Sequence, residues 1–410
     1  MTATAARPNI VYLHSHDTGR YIQPYGHGVQ SPNLQLLAEG GVTFRHAHCA
    51  APTCSPSRAS LLTGQSAHNS GMIGLAHRGF RLNDPSKHLA TTLRDAGYRT
   101  VLSGVQHVTT GDPTALGYTD VAGLDHHDTP VTVQHAVEAI RNSAASPDKP
   151  FFLDAGFFET HRPFPEAPTG SGRYLAPPSP LPDTARVRQD VADYQASLTI
   201  LDTAYGTILD ALDDTGLAGN TLVIATTDHG IAFPWMKCNL TDHGTGVLLV
   251  MRGPGGFTGG HVNDALISHL DLYPTICELA SIDRPAWLQG HSMLPLVRGE
   301  TDTIRNELFA EVTYHAAYEP QRMVRIDRHT LIRRFGERRT PVLPNLDVSP
   351  SRDEVLDAGY ADVTLPEIQL FDNMLDPRQR WNLANSPEHQ TIRNDLLACS
   401  GGCRRPAIRY

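Results

Sequence analysis

The chain has 410 residues, enough for one large α/β core with a smaller appended domain or for two independent domains. With 40% apolar and 19% charged residues it reads as globular, and no segment approaches the long uncharged apolar run that a bilayer span requires. A formal charge of -9, with arginines scattered along the chain, argues against nucleic acid as a partner. Residues 1–8 lack a basic-then-apolar leader pattern, so a soluble cytoplasmic protein is expected. The six cysteines are far apart and read as buried thiols, except for Cys399 and Cys403, which are close enough to pair.

In chain order, residues 9–13 form the first short β-rich apolar run. Residues 32–39 follow as a helix, with Ser31 as cap, Pro32 in the first turn and Gly40–Gly41 as the stop. Runs at 99–103, 151–157, 221–226 and 247–251 read as strands buried on both faces. Between them, Val133, Ala136, Val137 and Ile140 keep helical spacing, as do Tyr194, Leu198, Leu201, Ile208 and Leu212 in a longer segment ending near Gly216. That alternation predicts a mostly parallel sheet sandwiched by helices. The proline-rich stretch 162–182 predicts a loop long enough to serve function as a substrate wall. After about residue 299 the pattern changes to short alternating segments at 323–326 and 330–332 and a terminal helix over 388–398. The division expected is therefore 1–299 for an α/β domain and 300–410 for a smaller antiparallel α+β subdomain.

The chemistry concentrates in Cys54-Ser55-Pro56-Ser57-Arg58 and its continuation to Thr63-Gly64. Pro56 opens a helical run backed by Leu61 and Leu62, which places Cys54 at a helix N-terminus, where backbone N–H groups and the dipole favour an anion. Arg58, one turn on, adds a cation. Taken alone, these residues also describe an ordinary helix with a buried cysteine.

The full eleven-residue segment, however, resembles the signature of the sulfatase family. The resemblance implies an alkaline-phosphatase-like fold and a formylglycine made from Cys54 by a dedicated oxidase, which becomes a maturation partner. A hydrated aldehyde offers one hydroxyl to attack sulfur and another to expel sulfate by collapse to the aldehyde. Arg58 would then stabilise the ionised diol and a sulfate oxygen.

A sulfate in a cleft calls for a cation. Asp17 follows the first strand, and Asp228-His229 follows the strand at 221–226, both at strand C-terminal ends where open α/β sheets build their sites. In the family, an aspartate pair and an Asp-Asn or Asp-His pair hold calcium together with the formylglycine. The resemblance thus assigns His16, Asp17, position 54, Asp228 and His229 as ligands. His16 replaces an expected carboxylate, and its nitrogen admits manganese or zinc beside calcium. A second Thr-Asp-His-Gly at 241–244 precedes a strand instead of following one, so Asp242 and His243 are read as turn residues. Asp125-His126-His127-Asp128 is read as a solvated loop.

His107, His161 and Lys237 would surround the sulfate, with a histidine protonating the leaving group. Val105 stands where the family usually has lysine, which removes one cation. Within the family, residues 69–75, 156–163 and 228–234 resemble the N-sulfoglucosamine sulfohydrolases, and residues 370–377 resemble the closing segment. The substrate implied is a sulfated small molecule or sugar, as ester or sulfamate. Two other readings stay open: a phosphonate or phosphate-ester hydrolase on the same scaffold, and a sulfated-glycan binder without catalysis.

Overall fold

In the computed structural model, which describes residues 7–124, 128–146 and 148–401, the first apolar run is strand β1 (Asn9–Ser15), buried at every position. Ile10 and Tyr12 enter one apolar core while Val11 and Leu13 enter another, because successive side chains of a strand point to opposite faces. Strand β6 (Thr221–Thr227) divides in the same way, with Leu222 and Ile224 on one side and Val223 and Ala225 on the other. A strand covered on both faces needs apolar residues throughout, which is why these segments are continuous in the sequence.

The large sheet has the order β4 (Asp120–Ala122), β3 (Arg99–Gly104), β5 (Phe151–Gly156), β1, β6, β7 (Leu249–Arg252), β2 (Val42–His48) and β8 (His261–Ser268). Its neighbouring strands are parallel except where β7 pairs with β6 and β2. The N-terminal end of β7 therefore lies at the same edge as the C-terminal ends of the others.

Helices cover both faces. Helix α1 (Pro32–Gly40), Thr129–Ala144 and the 30-residue helix Ala185–Asp214 lie on the side of Val11 and Leu13. Helix α2 (Cys54–Thr63), Leu89–Asp95 and Leu272–Leu279 lie on the side of Ile10 and Tyr12. Asp128 caps Thr129–Ala144 by accepting the Val131 N–H at 3.0 Å. The rest of the 125–128 cluster, like Cys403, lies outside the described residues. The stretch 162–182 is a loop with one 3-10 turn, Ser171–Tyr174.

A separate antiparallel sheet follows, with the order β12 (Ile368–Asp372), β11 (His329–Arg334), β10 (Tyr318–Arg325) and β9 (Leu308–Tyr314). One face, with Leu308, Ala310, Met323 and Ile332, packs on Leu240 and Leu266. The other, with Val324, Leu331 and Leu370, is covered through Leu396 by the helix Gln390–Gly401. The Glu311 N–H donates to the Ala50 carbonyl at 3.0 Å, which ties β9 to the segment leading into Cys54. Among the described residues no helix is long and apolar enough to cross a membrane.

Candidate active site

Helix α2 begins at Cys54 itself, and all ten of its residues are buried. Two residues of its first turns tie it to the end of β6. The Ser57 hydroxyl donates to the Asp228 carbonyl at 2.5 Å, and the Arg58 guanidinium donates to the Asp228 carboxylate at 3.1 Å. The helix stops at Gly64, whose φ of 65° is left-handed and costs glycine little. Position 54 is thereby held against the sheet edge. Burial pushes its thiol well above the ordinary cysteine range, so the unmodified side chain is a thiol there and not a thiolate nucleophile.

The ligating atoms of His16, Asp17, Cys54 and Asp228 all lie within 4.8 Å of one another, and all four residues are buried. The Asp17 N–H donates to Asp228 Oδ1 at 2.8 Å, with Asp17 at a left-handed φ of 52°. His107 is also left-handed, at φ 54°. Such backbone costs energy in a non-glycine residue and concentrates where function over-determines the structure.

The hydrogen bonds of this cluster stop short of closing it. His229 Nδ1 lies 3.0 Å from the Gly230 carbonyl and must donate to it. In the neutral ring Nε2 then carries a lone pair, yet it points at Asp17 Oδ1 at 3.4 Å and at Asp228 Oδ2 at 3.7 Å. His16 Nδ1 lies 3.4 Å from Asp228 Oδ2. Burial, and then the Arg58 charge, hold the His16 imidazole well below its usual range, so it is neutral. Both His16 nitrogens, Asp17 Oδ1 and His229 Nε2 are buried with no hydrogen-bond partner. Acceptors facing acceptors in a buried pocket are costly unless a cation sits among them. The residues present fit a divalent metal, with nitrogen and oxygen donors mixed.

Cations already border the cluster. Burial alone would lower the Lys237 ammonium, but Asp17 at 2.9 Å and Asp347 at 3.1 Å raise it well above the ordinary range. Asp347 is correspondingly held below the carboxylate range, the Lys237 charge outweighing burial. Asp228 is also held low, the Arg58 guanidinium at 3.1 Å acting against burial. His161 and His107 sit at the partly exposed mouth, with ring centroids 5.7 and 4.6 Å from that of His16. His161 Nε2 is 3.9 Å from Asp17 Oδ2.

Beneath the cluster runs a chain of buried polar groups. Tyr118 donates to Asp154 at 2.5 Å, and Asp154 lies 2.7 Å from His14 Nε2. His14 Nδ1 contacts the Arg58 guanidinium, which also donates to the Ser15 carbonyl at 2.8 Å. The Arg58 guanidinium can only donate, having no lone pair to accept with, so His14 must accept at Nδ1 and be the neutral tautomer with its proton on Nε2. Gly156 lets this layer close, since a Cβ there would stand 1.9 Å from the Val105 carbonyl and 2.5 Å from the His14 ring.

The nine candidate site residues singled out from the sequence, His16, Asp17, Cys54, Arg58, His107, His161, Asp228, His229 and Lys237, thus meet at one sheet edge. His14, Asp154 and Asp347 escaped that reading, because no local pattern marks them. The reading of Asp242 and His243 as turn residues needs correction. Because β7 is antiparallel, the segment before it lies at the site edge, in the short helix Asp242–Thr245. There Asp242 pairs with Arg325 and, at 3.9 Å, with Arg20, while His243 accepts from the Tyr21 hydroxyl.

Against known proteins, the sulfatase pattern matches residues 8–282 and the pattern described as N-sulphoglucosamine sulphohydrolase, C-terminal, matches residues 235–355. This chain belongs to the sulfatase family. Human N-sulphoglucosamine sulphohydrolase is 30% identical to this sulfatase, over 93% of the chain and 87% of that protein. An ulvan-active sulfatase of Formosa agariphila is 28% identical, over 97% and 80%. A solved structure in complex with D-glucosamine-2-N,6-O-disulfate superposes on the sulfatase with a TM-score of 0.79, at 18% identity and 98% coverage of both chains. The phosphonate monoester hydrolase of Silicibacter pomeroyi shares the fold at a TM-score of 0.73 and 21% identity, over 98% and 96%.

Proposed function

We infer that this sulfatase hydrolyses a sulfate ester or sulfamate of a sugar through a formylglycine hydrate at position 54, assisted by a divalent cation. The observation that carries this reading is the convergence of Cys54 with His16, Asp17 and Asp228 around unpaired buried acceptors. When present, the hydrate would supply a hydroxyl to attack sulfur and a second to expel sulfate, and the cation would neutralise the gathered negative charge.

The chain's own residues supply the rest. His16, Asp17, Asp228 and His229, with position 54, would hold the cation, and two imidazoles among the donors place manganese or zinc beside calcium as candidates. Arg58, fixed from behind by His14 and Ser15, keeps Asp228 oriented. Lys237 offers its ammonium to sulfate oxygens from between Asp17 and Asp347. His161 donates from Nδ1 to the Arg162 carbonyl at 2.6 Å, which leaves Nε2 facing the mouth side of Asp17. Protonated there, it would give the leaving oxygen or nitrogen its proton, with His107 as the neighbouring donor.

Mass analysis of the peptide bearing residue 54, paired with sulfate release from glucosamine N-sulfate and an aryl sulfate, tests the reading. The expected result is an aldehyde at position 54 and sulfate released. An unmodified thiol in a fully active preparation would overturn it, and faster turnover of an aryl phosphonate would move the protein to phosphoryl chemistry.

A further inference from the structure

The seam between the two sheets holds a second cleft, of about 640 Å³, that shares no residue with the site around Cys54. Arginines scattered in the sequence gather here: Arg20 follows β1, Arg45 lies on β2, Arg325 and Arg328 flank the end of β10, and Arg378 follows β12. In a chain of net charge -9, these guanidiniums face only Asp242 and Asp327 in the cleft wall.

The pairing is unequal. Arg45 and Arg328 lean on carboxylates outside the lining, Asp264 at 2.9 Å and Asp372 at 2.7 Å. Arg20 and the almost fully buried Arg325 must share Asp242. Arg378 is exposed and enters no side-chain ion pair among the described residues; its carbonyl alone is used, by His243. Arg20 and Arg325 thus share Asp242, with Asp327 beside Arg325 and Arg378 lining the same cleft, and a bound anion would offset the repulsion among the guanidiniums. The field reaches the neighbouring rings: burial, then Arg20, lowers both His27 and His46, which keeps them neutral hydrogen-bonding groups. Tyr21, Tyr25 and Pro178 add apolar surface of the kind a sugar ring packs on. The volume is far larger than a lone inorganic anion needs and falls in the range of ligand pockets.

We propose that this cleft binds a saccharide bearing two or more sulfate or carboxylate groups, held by Arg20, Arg325 and Arg378 apart from the hydrolytic centre. The anionic part of this assignment stands on the cleft alone, and the saccharide part rests on the sugar-sulfate reading of the Cys54 site.

The test uses the full chain and calorimetric titration with a heparin-derived tetrasaccharide, in parallel with inorganic sulfate. Arg378→Ala, an exposed change that leaves the fold intact, should weaken the tetrasaccharide about tenfold, and Arg325→Gln should weaken it further. Affinity should fall with added salt, while turnover of a small aryl sulfate by Arg378→Ala stays at the parent value. Undiminished tetrasaccharide affinity in both variants overturns the proposal. Equal affinity for inorganic sulfate, with the same arginine dependence, also overturns it by reducing the cleft to a simple ion site. Loss of the hydrolytic reading looks different: no aryl sulfate turnover in the parent chain, with arginine-dependent tetrasaccharide binding retained.

Discussion

Two layers of buried polar residues lie one above the other at the sheet edge, and they differ in how completely they are satisfied. The lower layer, Tyr118, Asp154, His14 and Arg58, is a continuous run of donors meeting acceptors with Arg58 Nε alone left over. The upper layer, His16, Asp17, Asp228 and His229, leaves buried nitrogen and oxygen atoms bare and turns the His229 Nε2 lone pair toward the Asp17 carboxylate. A satisfied network is scaffold, because removing any member leaves its neighbour stranded. An unsatisfied one is a receptor, stable only when something else completes it. The contrast separates substitutions that should erase chemistry from those that should erase stability.

The largest effect belongs to Cys54→Ala. It should abolish sulfate release while the circular dichroism spectrum and unfolding midpoint stay near the parent values, since a small buried side chain is lost with no charge stranded. Turnover persisting in this variant would remove position 54 from the mechanism. Next comes Asp17→Asn in the upper layer. It should lower metal content, measured by elemental analysis, and sulfate release by more than the roughly 10–100-fold that losing an outer partner of a metal site costs. In chelator-treated protein the same change should leave stability unchanged or raised, because Lys237 keeps Asp347 and one repelling acceptor disappears. A destabilised metal-free variant would show the upper layer to be scaffold after all.

The sequence made the upper layer legible and the lower one invisible, for a physical reason. Asp17 and Asp228 sit at the ends of β1 and β6, whose unbroken apolar runs announce strands buried on both faces. Cys54 lies in a motif dense enough to be recognised, and Ser57 and Arg58 explain its density by clamping Asp228. Asp154 is hidden inside the apolar run of β5, and it matters only because β5 pairs with β1 and brings it to His14. Asp347 reaches Lys237 from a loop more than a hundred residues downstream, which no local spacing reports. Strand β2 was missed because Arg45 and His46 interrupt it, and β8 because its position at the sheet edge admits exposed and charged residues. Those same interruptions put arginine into the second cleft.

In the lower layer, Asp154→Ala should do the reverse of Asp17→Asn. It strands the Tyr118 hydroxyl and the His14 N–H in a dry interior, so a loss of about 3–5 kcal/mol is expected from chemical unfolding, comparable to breaking a buried pair. Activity per folded molecule should fall with the loosening of Arg58, while metal content of the folded fraction is retained. Metal lost as completely as in Asp17→Asn, with stability unchanged, would mean that the two layers are one.

Buried histidines outside both layers give the smallest effect and the finest discrimination. His88 accepts the Ala90 N–H at Nδ1 and leaves Nε2 bare, and burial lowers it to about 4. His269 meets the Thr226 hydroxyl at 3.0 Å, and burial lowers it to about 3. Each is neutral when folded but free to protonate near pH 6.5 when unfolded. The unfolded chain therefore binds more protons below pH 6.5, so this stability is fully present above that value and declines as pH falls toward the folded values. Between pH 6.5 and 5 each should cost about 2 kcal/mol, read as a falling urea midpoint. Because burial is what keeps the His88 ring neutral, its share of the decline should be the same in Cys54→Ala and in metal-free protein. A decline confined to the metal-loaded parent would instead trace the acid sensitivity to proton competition at His16 and His229.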